Sequence, residues 1–180
     1  MSGKPPKGVS GVLAGQEIAF ALGCSSLGRI LVARGDRGVC AILLGDDRKK
    51  MIADLGGHFA TDRLAEGCSS LDAALAATIE ASEQPWRKLG FVLDVRGTEF
   101  QRRVWDELRD IPSGTTTTYT EIARRIGAPK ALRAVAGACA ANVLALAIPC
   151  HRVVRSNGSL SGYRWGLERK RLLIAREQGR

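Results

Sequence analysis

Apolar residues first gather in three short, largely β-branched runs, Ile18–Leu22, Arg29–Ala33 and Val39–Leu44, parted by Gly23–Gly28 and Gly35–Gly38. Runs of this length between glycine-bearing turns predict an antiparallel three-stranded meander. The period then lengthens. Arg48–Leu55 and Leu71–Ala81 place apolar residues three and four apart and predict amphipathic helices, with Ser70 as N-cap of the second. Pro85 and Gly90 mark a linker over Gln84–Gly90. Thr98 followed by Gln101 is a capping box that opens a helix to about Arg109, with Phe100, Val104 and Leu108 on one face. Pro112 and Gly114 end it. Thr120 then caps a short helix over Glu121–Ile126, Gly127-Ala128-Pro129 turns tightly, and a further helix covers Lys130–Ala141. That helix is poor in bulk: Ala131, Ala134, Ala136, Gly137, Ala138, Ala140 and Ala141. Such a thin rod suits either close packing on another helix or an approach to a DNA groove. The apolar run Val143–Ile148 must be buried, and it leads straight into Pro149-Cys150-His151-Arg152-Val153-Val154. A last helix spans roughly Leu167–Glu177.

The pattern divides the chain into a loose tail rich in Gly, Pro, Ser and Lys (1–15), an α/β part (16–90) and a mostly helical part (91–180). A length of 180 residues suits one large domain or two small ones. Helix, short glycine-containing turn, helix over 121–141 is the helix-turn-helix pattern. Charge sharpens this. Residues 1–92 hold 11 Lys/Arg and 10 Asp/Glu, whereas residues 93–180 hold 16 and 8. One neutral half beside one strongly basic half fits a polyanion met by one face, and on charge alone fits a merely soluble basic surface equally well.

Five cysteines, Cys24, Cys40, Cys68, Cys139 and Cys150, make an odd count without a C-x-x-C pair. A reducing cytoplasm fits this better than a disulfide framework. Ala21-Leu22-Gly23-Cys24 has the look of a lipoprotein cleavage site, but Gln16 and Glu17 interrupt the apolar stretch such a signal needs. No run is long enough to span a membrane.

Cys150 follows a buried segment and a proline that fixes the backbone. A free thiol is mostly protonated at neutral pH, so a nucleophilic role needs a base. His151 is adjacent, and His58 is the only other histidine. A bridging water would carry the proton, and a carboxylate would orient the imidazole. Spacing leaves Glu177 and Glu168 both open for that part. A cysteine beside a histidine also fits ordinary core, and the helix-turn-helix alone fits a DNA-binding regulator.

Pro149-Cys150-His151-Arg152-Val153 resembles the active-site signature of the O6-alkylguanine-DNA alkyltransferases. The likeness extends to Arg133-Ala134-Val135, to Asn142 eight residues before the cysteine, and to Tyr119 ahead of the first helix of the motif. Ser161-Gly162-Tyr163-Arg164-Trp165-Gly166 resembles the form in the C-terminal half of the bacterial adaptive-response protein. Cys24–Arg29 and Gly38–Asp47 carry it into the first half, so it covers roughly residues 18–178.

The resemblance implies a ribonuclease-H-like α/β domain followed by a winged-helix-like domain that holds the site. Cys150 would accept the alkyl group of O6-methylguanine, and also of O4-methylthymine, once and irreversibly. His151 would act as base through a water, with Glu177 ordering it. Asn142 would bridge the recognition helix and the active-site segment; it also sits where asparagine tolerates a left-handed helix end. Double-stranded DNA would be bound through the minor groove, with small Ala134 and Ala138 at the contact and Arg133 filling the stack vacated by a flipped nucleotide. Tyr119 would displace a phosphate and bond the flipped base. The carbonyls of Cys150 and Val153 and a backbone N–H near Arg164 would read its edge, and Thr120 and Ser156 join the DNA-binding set. The protein would act as a monomer without a cofactor. Zinc is not expected, since Cys24, Cys40 and His58 make no fourfold ligand set. Nor is transcriptional activation, because the chain shows no counterpart of the adaptive-response protein's regulatory half. Trp165, large where some members carry glycine, would narrow the pocket against bulky adducts. Relatives that bind the lesion without repairing it lack the acceptor cysteine, which is present here.

Overall fold

A computed structural model describes residues 15–60, 62–67, 69–160 and 162–179. Apart from residue 15, the predicted tail lies outside the described residues, as do Cys68 and Ser161.

The meander forms as predicted and is longer at its ends: β1 (Glu17–Ser25), β2 (Gly28–Gly35) and β3 (Gly38–Gly45) pair antiparallel in sequence order. Gly38 sits at φ +139, and a Cβ there would lie 2.5 Å from the carbonyl oxygen of Val92, so this turn needs a glycine on two counts. Asp47 caps α1 (Arg48–His58) by accepting from the Lys50 N–H. A fourth strand, β4 (Arg63–Glu66), runs parallel to β1 and completes the order β3-β2-β1-β4. Its sequence, Arg-Leu-Ala-Glu, has no β-branched or aromatic residue, so no strand was predicted there. α2 (Ser69–Glu83) packs on β1 and β2. The predicted cap Ser70 falls inside its first turn.

Residues 84–98 cross to the helical half. They include Leu93, which bridges to Val39 of β3, with Val39 N–H donating to Val92 and Asp94 N–H donating to Val39. Ile42 of the same strand exchanges backbone bonds with Val143 and Ala145. One hydrophobic core therefore runs through both halves.

α3 (Glu99–Arg109) opens with the predicted capping box, both of its hydrogen bonds formed. Val104, Trp105 and Leu108 are buried, and Trp105 Nε1 donates to the Ala138 carbonyl at 2.8 Å. β5 (Thr117–Thr118) leads into α4 (Tyr119–Arg125). The cap of α4 is Thr118, whose hydroxyl accepts from the Glu121 N–H; Thr120, predicted to cap, is instead an exposed residue within the helix. The extended backbone at Thr118, needed for pairing with β6 (Val153–Val154), also suits a cap. Gly127, at φ +70, turns the chain towards α5 (Leu132–Ala141). Cys150–Arg152 form a single 3-10 turn, and α6 (Leu167–Gln178) closes the described chain. Asn142 is extended (φ −64°, ψ 123°), not left-handed; among described non-glycine residues that conformation is found at Leu146.

Candidate active site

The short β5–β6 pairing sets Thr117 beside Val153 and Thr118 beside Val154. It thereby carries Tyr119 to the mouth of a cleft of about 590 Å³ whose wall includes Cys150. Arg133, Ala136, Cys139, Tyr163 and Arg164 also line this cleft. Cys150 is 4% exposed. Asn142 fixes the loop above it with three bonds: Nδ2 donates to the Ile148 carbonyl (2.9 Å) and to Cys150 Sγ (3.3 Å), and Oδ1 accepts from Leu144 N–H (2.8 Å).

The His151 ring is buried. Its Nε2 lies 2.9 Å from Glu177 Oε1, while Nδ1 has no protein partner. Glu177 also accepts from Arg152, through Nε and one terminal nitrogen at 2.8–3.1 Å, and from the Gly114 N–H at 3.2 Å. Glu168, the other carboxylate left open by spacing, points to solvent and pairs with Arg171.

Burial pushes the Cys150 thiol up to about 11, against the Asn142 hydrogen bond and the Lys170 charge that pull it down. Burial pushes His151 below its ordinary value, against the pull of Glu177. Glu177 is held below the usual carboxylate range: burial opposes this, and the bonds from His151 and Arg152 outweigh it. These directions fix the resting state as a thiol, a neutral imidazole and a carboxylate. The carboxylate must accept, so Nε2 carries the imidazole proton and Nδ1 holds the free lone pair. The arrangement sets a thiol, an imidazole with one open nitrogen and a carboxylate in sequence, groups that could serve as nucleophile, base and orienting partner.

The other predicted residues are distributed as follows. The Val153 carbonyl is bonded by Lys170 Nζ at 2.5 Å, and the Cys150 carbonyl by the Val153 N–H; each retains a second lone pair. The Arg164 side chain reaches Asp54 (2.7 Å), His58 (2.7 Å) and the Ala140 carbonyl (3.3 Å). Ala134 is exposed on α5, whereas Ala138, expected beside it at the groove, is buried on the opposite side of the helix against Trp105 of α3; Thr120 and Ser156 are exposed outside the cleft wall. The α5 face bearing Arg133, Ala134, Ala136, Gly137 and Ala140 is open, and a Cβ on Gly137 would meet nothing within 4 Å. Most of the small residues are therefore not there to let α5 pack within the fold. Trp165 is buried behind Tyr163 (ring centroids 5.1 Å apart, edge-on) and does not line the cleft.

Arg152, Lys170, Cys139 and Tyr163 were not singled out as functional from sequence. Arg152 and Tyr163 stand in the quoted motifs, but their burial depends on folding. Lys170 is wholly buried, contrary to any surface reading of a charged helix.

Residues 99–179 match the family described as "6-O-methylguanine DNA methyltransferase, DNA binding domain". The chain is 49% identical over 160 residues to the bifunctional transcriptional activator/DNA repair enzyme Ada of Escherichia coli K12, covering 89% of this chain and 45% of that protein. The chain thus spans about half the length of the curated relatives it matches. It resembles the crystal structure of Mycobacterium tuberculosis O6-methylguanine methyltransferase with a TM-score of 0.72 at 31% identity, over 91% of this chain and 94% of that one. The M. tuberculosis protein in complex with DNA gives a TM-score of 0.73 at 32% identity, over 89% and 93%.

Proposed function

The chain belongs to the O6-alkylguanine-DNA alkyltransferase family, and we propose on that premise that it repairs DNA by moving the alkyl group of O6-methylguanine, and of O4-methylthymine, onto its own Cys150. The observation that carries this is the Cys150 sulfur at a cleft wall, next to a buried neutral His151 whose Nδ1 is unpartnered and whose Nε2 is fixed by Glu177.

The chemistry balances without a cofactor. The thiol proton passes to His151 Nδ1 through one water, and the imidazolium that forms is stabilised by Glu177. The thiolate attacks the alkyl carbon in line with the departing oxygen. The S–C bond forms, the C–O6 bond breaks with its electron pair going to the purine, and guanine regains a proton at its ring, with Tyr119 as donor. The thioether product is not cleaved by water, so each molecule acts once.

The target carbon lies inside the duplex, so the nucleotide must leave the stack. The open α5 face enters the minor groove, where small side chains permit close approach, and Arg133 takes the vacated place. Tyr119 displaces a phosphate, and the carbonyls of Cys150 and Val153 and the backbone N–H near Arg164 read the purine edge, with Thr120, Ala134 and Ser156 contacting the duplex. Asn142 holds α5 and the Cys150 segment in register. In this reading residues 16–90 are a ribonuclease-H-like domain, consistent with the sheet order, and residues 91–180 a winged-helix-like one. The protein acts as a cytoplasmic monomer.

Intact-protein mass after mixing with a duplex carrying one O6-methylguanine tests this. A gain of one methylene equivalent, mapped to the Cys150 peptide and lost in Cys150→Ser, is expected. Unchanged mass with the duplex still bound would leave only a lesion-binding protein.

A further inference from the structure

Arg152 is 8% exposed, yet its guanidinium has five acceptor contacts in three separate parts of the chain. Nε contacts both oxygens of Glu177 on α6, and one terminal nitrogen adds a third bond to the same carboxylate. The other terminal nitrogen donates to the Ile111 carbonyl, just past α3, at 2.6 Å. A further contact reaches the Pro85 carbonyl in the linker at 3.3 Å. Behind this knot, away from the cleft, lies a groove of about 850 Å³ between the linker and the end of α3, with Arg152 and Pro149 in its wall.

We propose that Arg152 is a positioning residue that joins the proton relay to the linker: its fork holds the Glu177 carboxylate in the plane His151 requires and fastens Pro85 and Ile111 to the same point. Only a planar, multiply donating cation does both. A lysine ammonium matches the charge but not the geometry.

The charges around His151 give the second half of the role. Glu177 from α6 favours the imidazolium; Arg152 from the same turn and Lys170 from α6 oppose it. Burial does most to keep His151 neutral and free to take a proton at neutral pH, and Arg152 adds to it by offsetting the charge of the carboxylate that orients the ring. The segment just past α3 contributes the neutral Ile111 carbonyl to this knot, and the charged Asp106, Arg109 and Asp110 line the groove that Arg152 also faces.

The His151 titration in the unreacted protein, read by NMR of the two imidazoles, tests the charge role. It does not depend on alkyl transfer, on which the proton relay rests. In Arg152→Gln the His151 midpoint should rise by about one pH unit, and the acid limb of single-turnover methyl transfer should move with it. In Arg152→Lys the midpoint should stay at the wild-type value. The linker loses its anchor there, so hydrogen exchange over residues 84–90 should speed several-fold. Coincident wild-type and Arg152→Gln titrations, or unchanged linker exchange in Arg152→Lys, would overturn the assignment. The Arg152→Lys exchange decides the matter alone if Arg152→Gln does not fold. A wild-type protein that titrates as stated but gains no methyl group would remove the alkyl-transfer reading and leave the assignment of Arg152 standing.

Discussion

Asn142 Nδ2 lies 3.3 Å from Cys150 Sγ while its other bonds run to Ile148 and Leu144, so one amide holds both the end of α5 and the Cys150 sulfur. The side chain is 1% exposed. Asn142→Ala would orphan a buried carbonyl and a buried N–H. Urea unfolding should show a loss of about 2–4 kcal/mol, taking roughly 1–2 for each group. A loss below about 0.5 kcal/mol would contradict the bridging role.

The raised Cys150 pKa has a signed consequence for stability. Below about pH 8 the thiol is protonated whether the protein is folded or unfolded, and it contributes nothing to the pH dependence. Between the unfolded value of 9.0 and the folded value of about 11, only the unfolded chain loses the proton, so stability falls as pH rises through this window. Cys40 and Cys139 slope the same way, at about 11 and about 12. The difference between wild type and Cys150→Ser isolates Cys150: flat up to pH 8, then lost by about 2–3 kcal/mol towards pH 11. A difference independent of pH would show the sulfur to be more open to solvent than the structure has it.

His151 and Glu177 act at the other end of the scale. Both are held below their unfolded values, so the unfolded chain binds protons first as pH drops. Stability should begin to fall below about pH 6.5 through His151, and fall further below about pH 4.5 through Glu177. Glu177→Gln removes the counter-ion of a buried Arg152, and denaturation should register a cost of about 3–5 kcal/mol. Methyl transfer should slow as well, since an amide does not select the required tautomer.

The open face of α5 separates folding from DNA contact. Gly137→Ala meets no neighbour and should stabilise the helix by about 0.5–1 kcal/mol. Gly137→Leu should also fold, yet weaken duplex binding measured by fluorescence anisotropy in a Cys150→Ser background. Equal affinity for the two variants would mean that α5 does not approach the duplex along this face.

Trp165 braces Tyr163 at the cleft without forming its wall. Matched duplexes should lose methyl faster than benzyl, because the braced ring cannot swing aside for a larger group. Similar rates in a single-turnover assay would show that it yields.

Features written in local chemistry were legible in the sequence. The capping box at Thr98 and Gln101, the glycine-punctuated meander and the buried run ahead of Cys150 each depend on residues within a few positions. β4 was not legible, because Arg63–Glu66 is a strand only through its partner β1. Thr118 took the cap from Thr120 because its pairing with Val154 sets an extended backbone one residue ahead of the helix. The choice of Glu177 over Glu168 follows locally from the turn of α6, but globally from the packing that buries one end of that helix. Arg152 and Lys170 lay hidden for the opposite reason to β4. Their residue type points to solvent, and only the assembled core supplies the acceptors that let them be buried.

The outer side of β3 takes its hydrogen bonds from residues 92–94 and 143–145, one segment before and one after the helix-turn-helix. An unpaired strand margin there would invite another molecule to add its own strand. Here the helical half itself occupies that margin, so neither half can melt without exposing backbone and apolar surface of the other. Heating should therefore give one transition rather than two. A fragment beginning at residue 91 would part both segments from their partner strand and should associate with itself at concentrations where the whole chain does not.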